Sequence, residues 1–435
     1  MAVSQSGLGR GAGAAILAIV LAQWFGTSLW FSPSGAVDGL SSWLGSTPAQ
    51  FGWLIAATQI GFIAGTLLSA ATGIADRFPP ERIFIVSSLV GAGLNFAWTL
   101  GPPDLILVWI SRFAVGVSLA GIYPMGMKMI VKRAQAKSAQ ALSWLVAMLT
   151  LGTAMPQLLS ALGTSLPWQS IMWGSSALAV MGALLIAAIS GHGAGSGADR
   201  GTGQRTKTPR PPQASQPAAA RPVSAPAAGD APLHRLFRDR MFRAAVFGYV
   251  GHMWELYAFW AVVPTLVIAA LADPSSPTGL AATSFLVIAA GVLGCVIGGI
   301  ISRRTGGAAV AAVALAGSGL MCLIYPLLPD VGPLLIAALA LWSFLVIADS
   351  PQFSDLAARY APAELTGTGL TAMNALGFAV SVISIVILQS LIVTVGVAAV
   401  WLLLPGPILG LVAMRPLLFR RREPKPDPDG RAPRD

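Results

Sequence analysis

The sequence predicts an all-α membrane protein of twelve spanning helices, arranged as two pseudo-symmetric six-helix bundles. Three observations carry this expectation. Of 435 residues, 55% are hydrophobic and only 10% charged, and mean hydropathy is +0.72. Apolar runs of roughly 20 residues, the length that crosses ~30 Å of hydrocarbon, recur from residue 14 to residue 418. The Lys and Arg residues gather in alternate loops.

In chain order, the first run, 14–36, follows a single Arg10 and has no convincing cleavage site. It reads as a retained span rather than a signal peptide. The next five runs are 50–72, 82–101, 104–127, 138–162 and 168–190, and the second six are 243–271, 280–301, 307–328, 331–354, 365–391 and 395–418. Arg77 and Arg82 fall between spans 2 and 3, and Lys128, Lys132, Arg133 and Lys137 between spans 4 and 5. Arg303 and Arg304 fall between spans 8 and 9, Arg359 between 10 and 11, and Arg420, Arg421 and Arg422 after span 12. The opposite loops carry Asp38, Asp104, Asp273 and Asp330. The positive-inside rule then places both termini of a multi-pass membrane protein in the cytoplasm. One span more or fewer would scramble this alternation.

The expected domains are 1–190 and 241–418, each a six-helix bundle, with a cytoplasmic linker at 191–240 and a disordered tail at 419–435. The linker is rich in Gly, then in Pro, Ala, Gln and Ser. Its end, Leu233 to Arg240, puts Leu233, Leu236 and Phe237 on one helical face, the pattern of a short helix lying on a membrane surface. The isoelectric point near 10.3 would suggest nucleic acid in a soluble protein. Here the basic residues lie in loops and read as topology determinants, so no nucleic-acid partner is expected. Cys295 and Cys322 both fall in apolar runs, which excludes a disulfide framework. Three His and two buried Cys supply no nucleophile–base set and no metal ligands, so neither an enzyme nor a cofactor is expected.

A weak repeat relates the halves at an offset near 226 residues. Gly73-Ile-Ala-Asp76-Arg77 closes span 2 as Gly299-Ile-Ile-Ser302-Arg303 closes span 8, Pro124 matches Pro351, and Gly152 matches Gly377. Parallel six-helix repeats place a substrate site near the midplane between them. With twelve spans, a long loop after the sixth and this repeat, the chain resembles the major facilitator superfamily. Two stretches add to the resemblance. Thr72-Gly-Ile-Ala-Asp76-Arg77-Phe-Pro-Pro-Glu-Arg82 is similar to the superfamily's loop 2–3 motif, Gly-x-x-x-Asp-Arg-x-Gly-Arg-Arg/Lys, at Asp76 and Arg77; Thr72, Pro79, Pro80 and Glu81 depart from it. Arg112-Phe-Ala-Val-Gly116 is similar to the span 4 motif Arg-x-x-x-Gly. His252-Met-Trp-Glu255-Leu-Tyr257 and Ala348-Asp-Ser-Pro-Gln-Phe353 look like a bacterial branch labelled with nitrate/nitrite or cyanate permeases. True nitrate porters carry an Arg in span 2 and another in span 8, and this sequence has neither.

The resemblance implies that spans 1, 4, 7 and 10 line a central cavity. Arg112 lies in span 4, His252 and Glu255 in span 7, and Asp349 in span 10. Arg112 is about 12 Å from the outer end of its span and Glu255 about 18 Å from the inner end, both in the middle third. A charge at that depth usually faces a bundle interior or a water path, and usually has a partner. Glu255 is the expected partner of Arg112. Arg112 reads as an anion anchor or regulator of a proton site, or else as a structural Arg capping backbone carbonyls. Glu255 reads as a proton carrier, or else as half of a fixed ion pair. His252, one turn earlier on the same face, can relay protons or hydrogen-bond a neighbour. Asp349, with Ser350 and Pro351, fits an inner gate, and the loop motif implies gating for Asp76 and Arg77, with Asp76 facing the N-terminus of span 11. Gln23, Trp24, Thr27, Tyr257 and Asn374 complete the expected substrate and proton pathway, set against interhelical packing.

The leading expectation is a monomeric secondary transporter in the lipid bilayer, moving a small anionic solute with protons. The alternatives are a proton-driven exporter of drugs or hydrophobic compounds, and a sensor or assembly protein of the same fold that moves no solute.

Overall fold

The computed structural model describes residues 10–134, 138–163, 165–194, 232–271, 276–362 and 365–419. Most of the expected linker and all but the first residue of the expected tail lie outside these. In order, the helices are α1 (Arg10–Thr27), α2 (Val37–Leu44), α3 (Pro48–Thr72), α4 (Ile74–Arg77), α5 (Pro80–Ala97), α6 (Leu105–Leu119), α7 (Tyr123–Ala134), α8 (Ser138–Leu162) and α9 (Gln169–Ala194). The second half follows with α10 (Pro232–Arg238), α11 (Arg240–Ala270), α12 (Pro277–Thr305), α13 (Gly307–Ile324), α14 (Gly332–Ala348), α15 (Ser350–Tyr360), α16 (Thr366–Val395) and α17 (Pro405–Leu418). No strand occurs among the described residues.

Ten stretches are long and apolar enough to cross a membrane, and the last, Thr366–Leu418, is 53 residues long and holds two spans. The shorter apolar helix Gly13–Thr27 supplies one more, which gives twelve. Local chemistry sets several helix ends. Thr47 and Gln50 form a reciprocal capping box before α3, and Asp104, Asp239 and Ser276 each accept a backbone N–H at the starts of α6, α11 and α12. Gly73 turns the chain after α3 at a φ of 65°, a conformation costly for any side chain with a Cβ.

Spans 1, 4, 10 and 12 are not continuous α-helices. Span 1 stops at Thr27 and continues through turns and a 3₁₀ segment, Ser32–Gly35. Span 4 breaks between Leu119 and Tyr123, and span 10 breaks at Asp349. The last two breaks sit just ahead of Pro124 and Pro351, the repeat-related pair. Proline lacks the N–H that would continue the ladder and disfavours helix in the residue before it. Span 12 opens with a 3₁₀ stretch, Gly396–Leu403. Arg415, inside the last expected span, lies in the final turn of α17.

Between the halves, α8 packs along α12 and α3 along α16. Both pairs run antiparallel. A Cβ built on Gly52 of α3 would lie 3.1 Å from Gln389 Cβ of α16, and one built on Gly299 of α12 would lie 2.9 Å from Ser143 Cβ of α8. The halves therefore touch near both ends. Helix α11 is the most enclosed span, with 72% of its apolar window buried against 33–61% for the other ten-stretch members. It is the natural place to look for functional side chains.

Candidate functional site

Arg112 is fully buried, and all of its donors are engaged inside the first half. Its Nε donates to Thr58 Oγ1 at 3.1 Å. Nη1 donates to Asn95 Oδ1 at 2.8 Å and Ser32 Oγ at 3.2 Å. Nη2 donates to the carbonyl oxygens of Leu29 and Trp30 at 2.9 and 2.8 Å. Those carbonyls are exposed because α1 ends at Thr27. Asn95 of α5 passes the network on, donating from Nδ2 to Met172 O and Ser176 Oγ of α9. A guanidinium offers five N–H donors, and five acceptors surround this one. The expected pairing with Glu255 does not occur, and the anion-anchor reading loses its donors. The structure places Arg112 as the cap of the span 1 break.

Glu255 is also fully buried, but it faces the interior of the second half. Trp342 Nε1 donates to its Oε1 at 2.6 Å, Cys322 Sγ to Oε1 at 3.3 Å and Ser318 Oγ to Oε2 at 2.8 Å. Trp342 is itself held by stacking on Phe259, with ring centroids 4.5 Å apart. Among the described residues, no Lys or Arg contributes. Ser318 Oγ also lies 3.2 Å from Leu315 O. Its one hydrogen can turn there, leaving the oxygen to accept from a protonated Glu255, so the pocket suits either protonation state.

Between the halves, aromatic rings close the centre. Trp30 stacks on Tyr257 at 5.7 Å and on Phe378 at 5.6 Å, Phe31 stacks on Tyr257 at 6.0 Å, and Phe62 meets Phe378 at 4.6 Å. Trp30 is fixed by donating from Nε1 to Gln59 Oε1 at 2.8 Å. Arg112 thus acts on this cluster indirectly, by holding the backbone that presents Trp30.

About one and a half turns from Tyr257 along α11, His252 meets Asp349 at the span 10 break. Nδ1 and Oδ1 are 2.8 Å apart, and both side chains have zero exposure. The two atoms lie within hydrogen-bond distance, while His252 Nε2 has no partner among the described residues. A buried ring nitrogen left without a partner is costly. Tyr249 and Phe353 flank the imidazole at 5.7 and 6.1 Å. Tyr249 is within electrostatic reach of Tyr123 of α7, across the seam between the halves.

The other expected pathway residues divide. Thr27 donates back to Gln23 O at 2.8 Å, a bond within its own helix. The Gln23 amide lies over Gly126 of α7, and neither amide atom has a partner among the described residues; the Trp24 indole N–H is likewise unpaired. Asn374 is half-buried one turn before Phe378. Arg77 is exposed at the end of α4, and the Asp76 side chain lies outside the described residues. Glu81, which departs from the loop motif, pairs with Arg133 at 2.9 Å. Lys128 Nζ donates to Ala75 O at 2.5 Å. Sequence reasoning missed Thr58, Asn95, Ser318, Trp342, Phe62 and Phe378. An isolated Asn in apolar α5 and a Ser in apolar α13 were the available signals.

A family model described as Major Facilitator Superfamily matches residues 6–385. The chain belongs to the major facilitator superfamily. Its long apolar helices fit a multi-pass membrane protein of that family. It is 32% identical over 117 residues to the niacin transporter NiaP of Acinetobacter baylyi, covering 24% of this chain and 25% of that protein. It is 33% identical over 104 residues to a probable inorganic phosphate transporter 1-9 of Oryza sativa subsp. japonica, covering 22% of this chain and 17% of that one. The matched stretches thus span a quarter or less of each relative's length.

Proposed function

We propose that this chain is a proton-coupled carrier of a small anionic solute, working by alternating access between two six-helix bundles. One observation carries the reading. Glu255, His252 and Asp349 are fully buried in the second half, and no Lys or Arg is in contact with any of them among the described residues. Buried carboxylates without a cation are expensive when charged, which favours proton uptake at this depth. Niacin and phosphate, named for the two relatives, are both anionic. The stacked rings of Trp30, Tyr257 and Phe378 favour a solute with a planar ring. In this reading both termini are cytoplasmic, residues 191–240 link the bundles, and the carrier works as a monomer in a bacterial inner membrane.

The test is uptake of labelled nicotinate and inorganic phosphate by vesicles holding the purified protein. One of them is expected to accumulate under a pH gradient and to lose accumulation with a protonophore. Uptake no faster than in protein-free vesicles would end the anion reading. The aromatic cluster also suits a hydrophobic-compound exporter, and ethidium efflux from the same vesicles separates the two.

A further inference from the structure

We infer that His252 Nε2 is the atom that loads the coupled proton, and that the imidazolium so formed, held by Asp349, is the cation to which the transported anion docks. This rests on the proposed anion–proton coupling and names the site where the two meet.

Arg112 is the one Lys or Arg in the middle third of any described span, and its five donors all have partners. An anion entering the centre therefore meets no permanent cation. His252 can become one. Its Nδ1 edge faces Asp349 Oδ1 at 2.8 Å, so in the neutral ring the proton belongs on Nδ1, leaving a lone pair on Nε2. That nitrogen is buried and without a partner.

Loading is a simple step. A proton from solution adds to the Nε2 lone pair while the Nδ1–H stays in place. The new Nε2–H then donates to an oxygen of the anion. On the other face the anion leaves, the proton follows, and the ring returns to its starting tautomer.

The charge balance favours this order. With Asp349 ionised and His252 neutral, the empty site holds one negative charge. Adding a proton and a monovalent anion together leaves that unchanged. An anion alone would double the buried negative charge, which low-dielectric surroundings penalise. Coupling then follows from electrostatics and needs no separate latch.

Several titratable groups surround the ring. On α11, Tyr249 and Glu255 are the nearest titratable groups. Glu255 and Cys295 of α12 are within electrostatic reach of Asp349, and Tyr249 reaches Tyr123 of α7 and Asp349. Helix α16 carries no titratable side chain and neither does α14. Arg303, Arg304, Asp355, Arg359, Tyr360 and Arg415 sit in the end turns or beyond the breaks of α12, α15 and α17.

The experiment uses the full chain in lipid nanodiscs. Nitrogen-15 histidine spectra identify His252 through the His192→Gln and His234→Gln variants. The neutral ring is expected to carry its proton on Nδ1, and Asp349→Asn is expected to shift that tautomer ratio toward Nε2. A proton found on Nε2 in the wild type overturns the proposal without any solute. Nicotinate and phosphate affinities are then measured between about pH 6 and 8, and the slope is read from nicotinate, which keeps one charge state across that range. The wild type should weaken up to about tenfold per pH unit on the alkaline side, the limit for one linked proton. His252→Gln should lose that slope, and its melting temperature checks that it still folds. A slope that persists in His252→Gln but vanishes in Glu255→Gln would keep proton coupling and reject this site. Absence of binding and of uptake for both anions would reject the transport reading, while the tautomer would still decide the role of His252.

Discussion

Arg112 Nη2 donates to the carbonyl oxygens of Leu29 and Trp30, 2.9 and 2.8 Å away. This relationship joins a buried charge in span 4 to a break in span 1, and it gives a buried guanidinium a role that needs no ligand. Arg112→Lys keeps the charge but replaces a planar fork with a point donor of three hydrogens. At least two of the five bonds are lost, and buried acceptors are left unpaired. The expected cost is roughly 3 kcal/mol of stability. Denaturation of the detergent-solubilised protein measures it. Nicotinate affinity of the folded fraction should change much less than stability. A variant with normal stability and lost binding would return Arg112 to the solute site.

What was legible beforehand follows from the kind of signal each feature leaves. Span lengths and the alternation of charged loops are written in composition, and α3, α8 and α16 begin within about two residues of the expected starts. The breaks in spans 4 and 10 were marked by Pro124 and Pro351, though a continuous helix was expected through both. Partners were not legible. Hydropathy says that Arg112 and Glu255 are buried, but not which way each faces on its helix. Their true partners are neutral groups, such as Thr58, Asn95, Ser318, an indole and two backbone carbonyls, which leave no charge pattern to match. His252 and Asp349 were each singled out, in separate roles, because nothing in the sequence brings residues 97 apart together.

Glu255→Gln should be tolerated. The amide oxygen can accept from Trp342 Nε1, and the amide N–H can donate to Ser318 Oγ, whose own hydrogen turns to Leu315 O. The expected stability change is within about 1 kcal/mol. Gradient-driven uptake should remain at half the wild-type rate or more. Trp342→Phe removes a donor and leaves Oε1 with only the weaker thiol, so it should destabilise more than Glu255→Gln. The reverse order in thermal melts would contradict the network.

The crossing of α3 and α6 depends on two glycines. A Cβ on Gly61 would collide with Phe113 O, and one on Gly116 with Thr58 O. Close approach of small residues is how spanning helices gain packing contact in a bilayer. Gly116→Ala should push the helices apart and shift Thr58 away from Arg112 Nε. A loss of about 2 kcal/mol or more is expected, within the range for overpacked sites. Gly93, with open space around its Cβ position, is the control, and Gly93→Ala should be neutral in the same melts.

Topology can be read by labelling. In a background with Cys295 and Cys322 replaced, Thr305→Cys sits at the basic end of α12 and Asp330→Cys in the loop before α14, both exposed. A membrane-impermeant maleimide applied to intact cells should label Asp330→Cys and spare Thr305→Cys, and both should react after lysis. Labelling of both in intact cells would remove the proposed cytoplasmic placement of the basic loops.

Alternating access makes the sharpest demand on the two seams between the halves. Gly52 and Gln389 approach near one end, and Ser143 and Gly299 near the other, with Cβ positions 3.1 and 2.9 Å apart. These are slightly closer than the ~3.5–4.5 Å of a relaxed disulfide, so a small outward adjustment allows the bond. The pairs Gly52→Cys with Gln389→Cys, and Ser143→Cys with Gly299→Cys, should each cross-link on mild oxidation. A carrier must open each seam once per cycle, so either bond alone should stop solute uptake, and reductant should restore it. Solute exchange should stop as well, since exchange also needs both faces to open. If one locked pair still supports normal exchange, that seam does not open during transport, and the two-bundle rocking mechanism would need a different hinge.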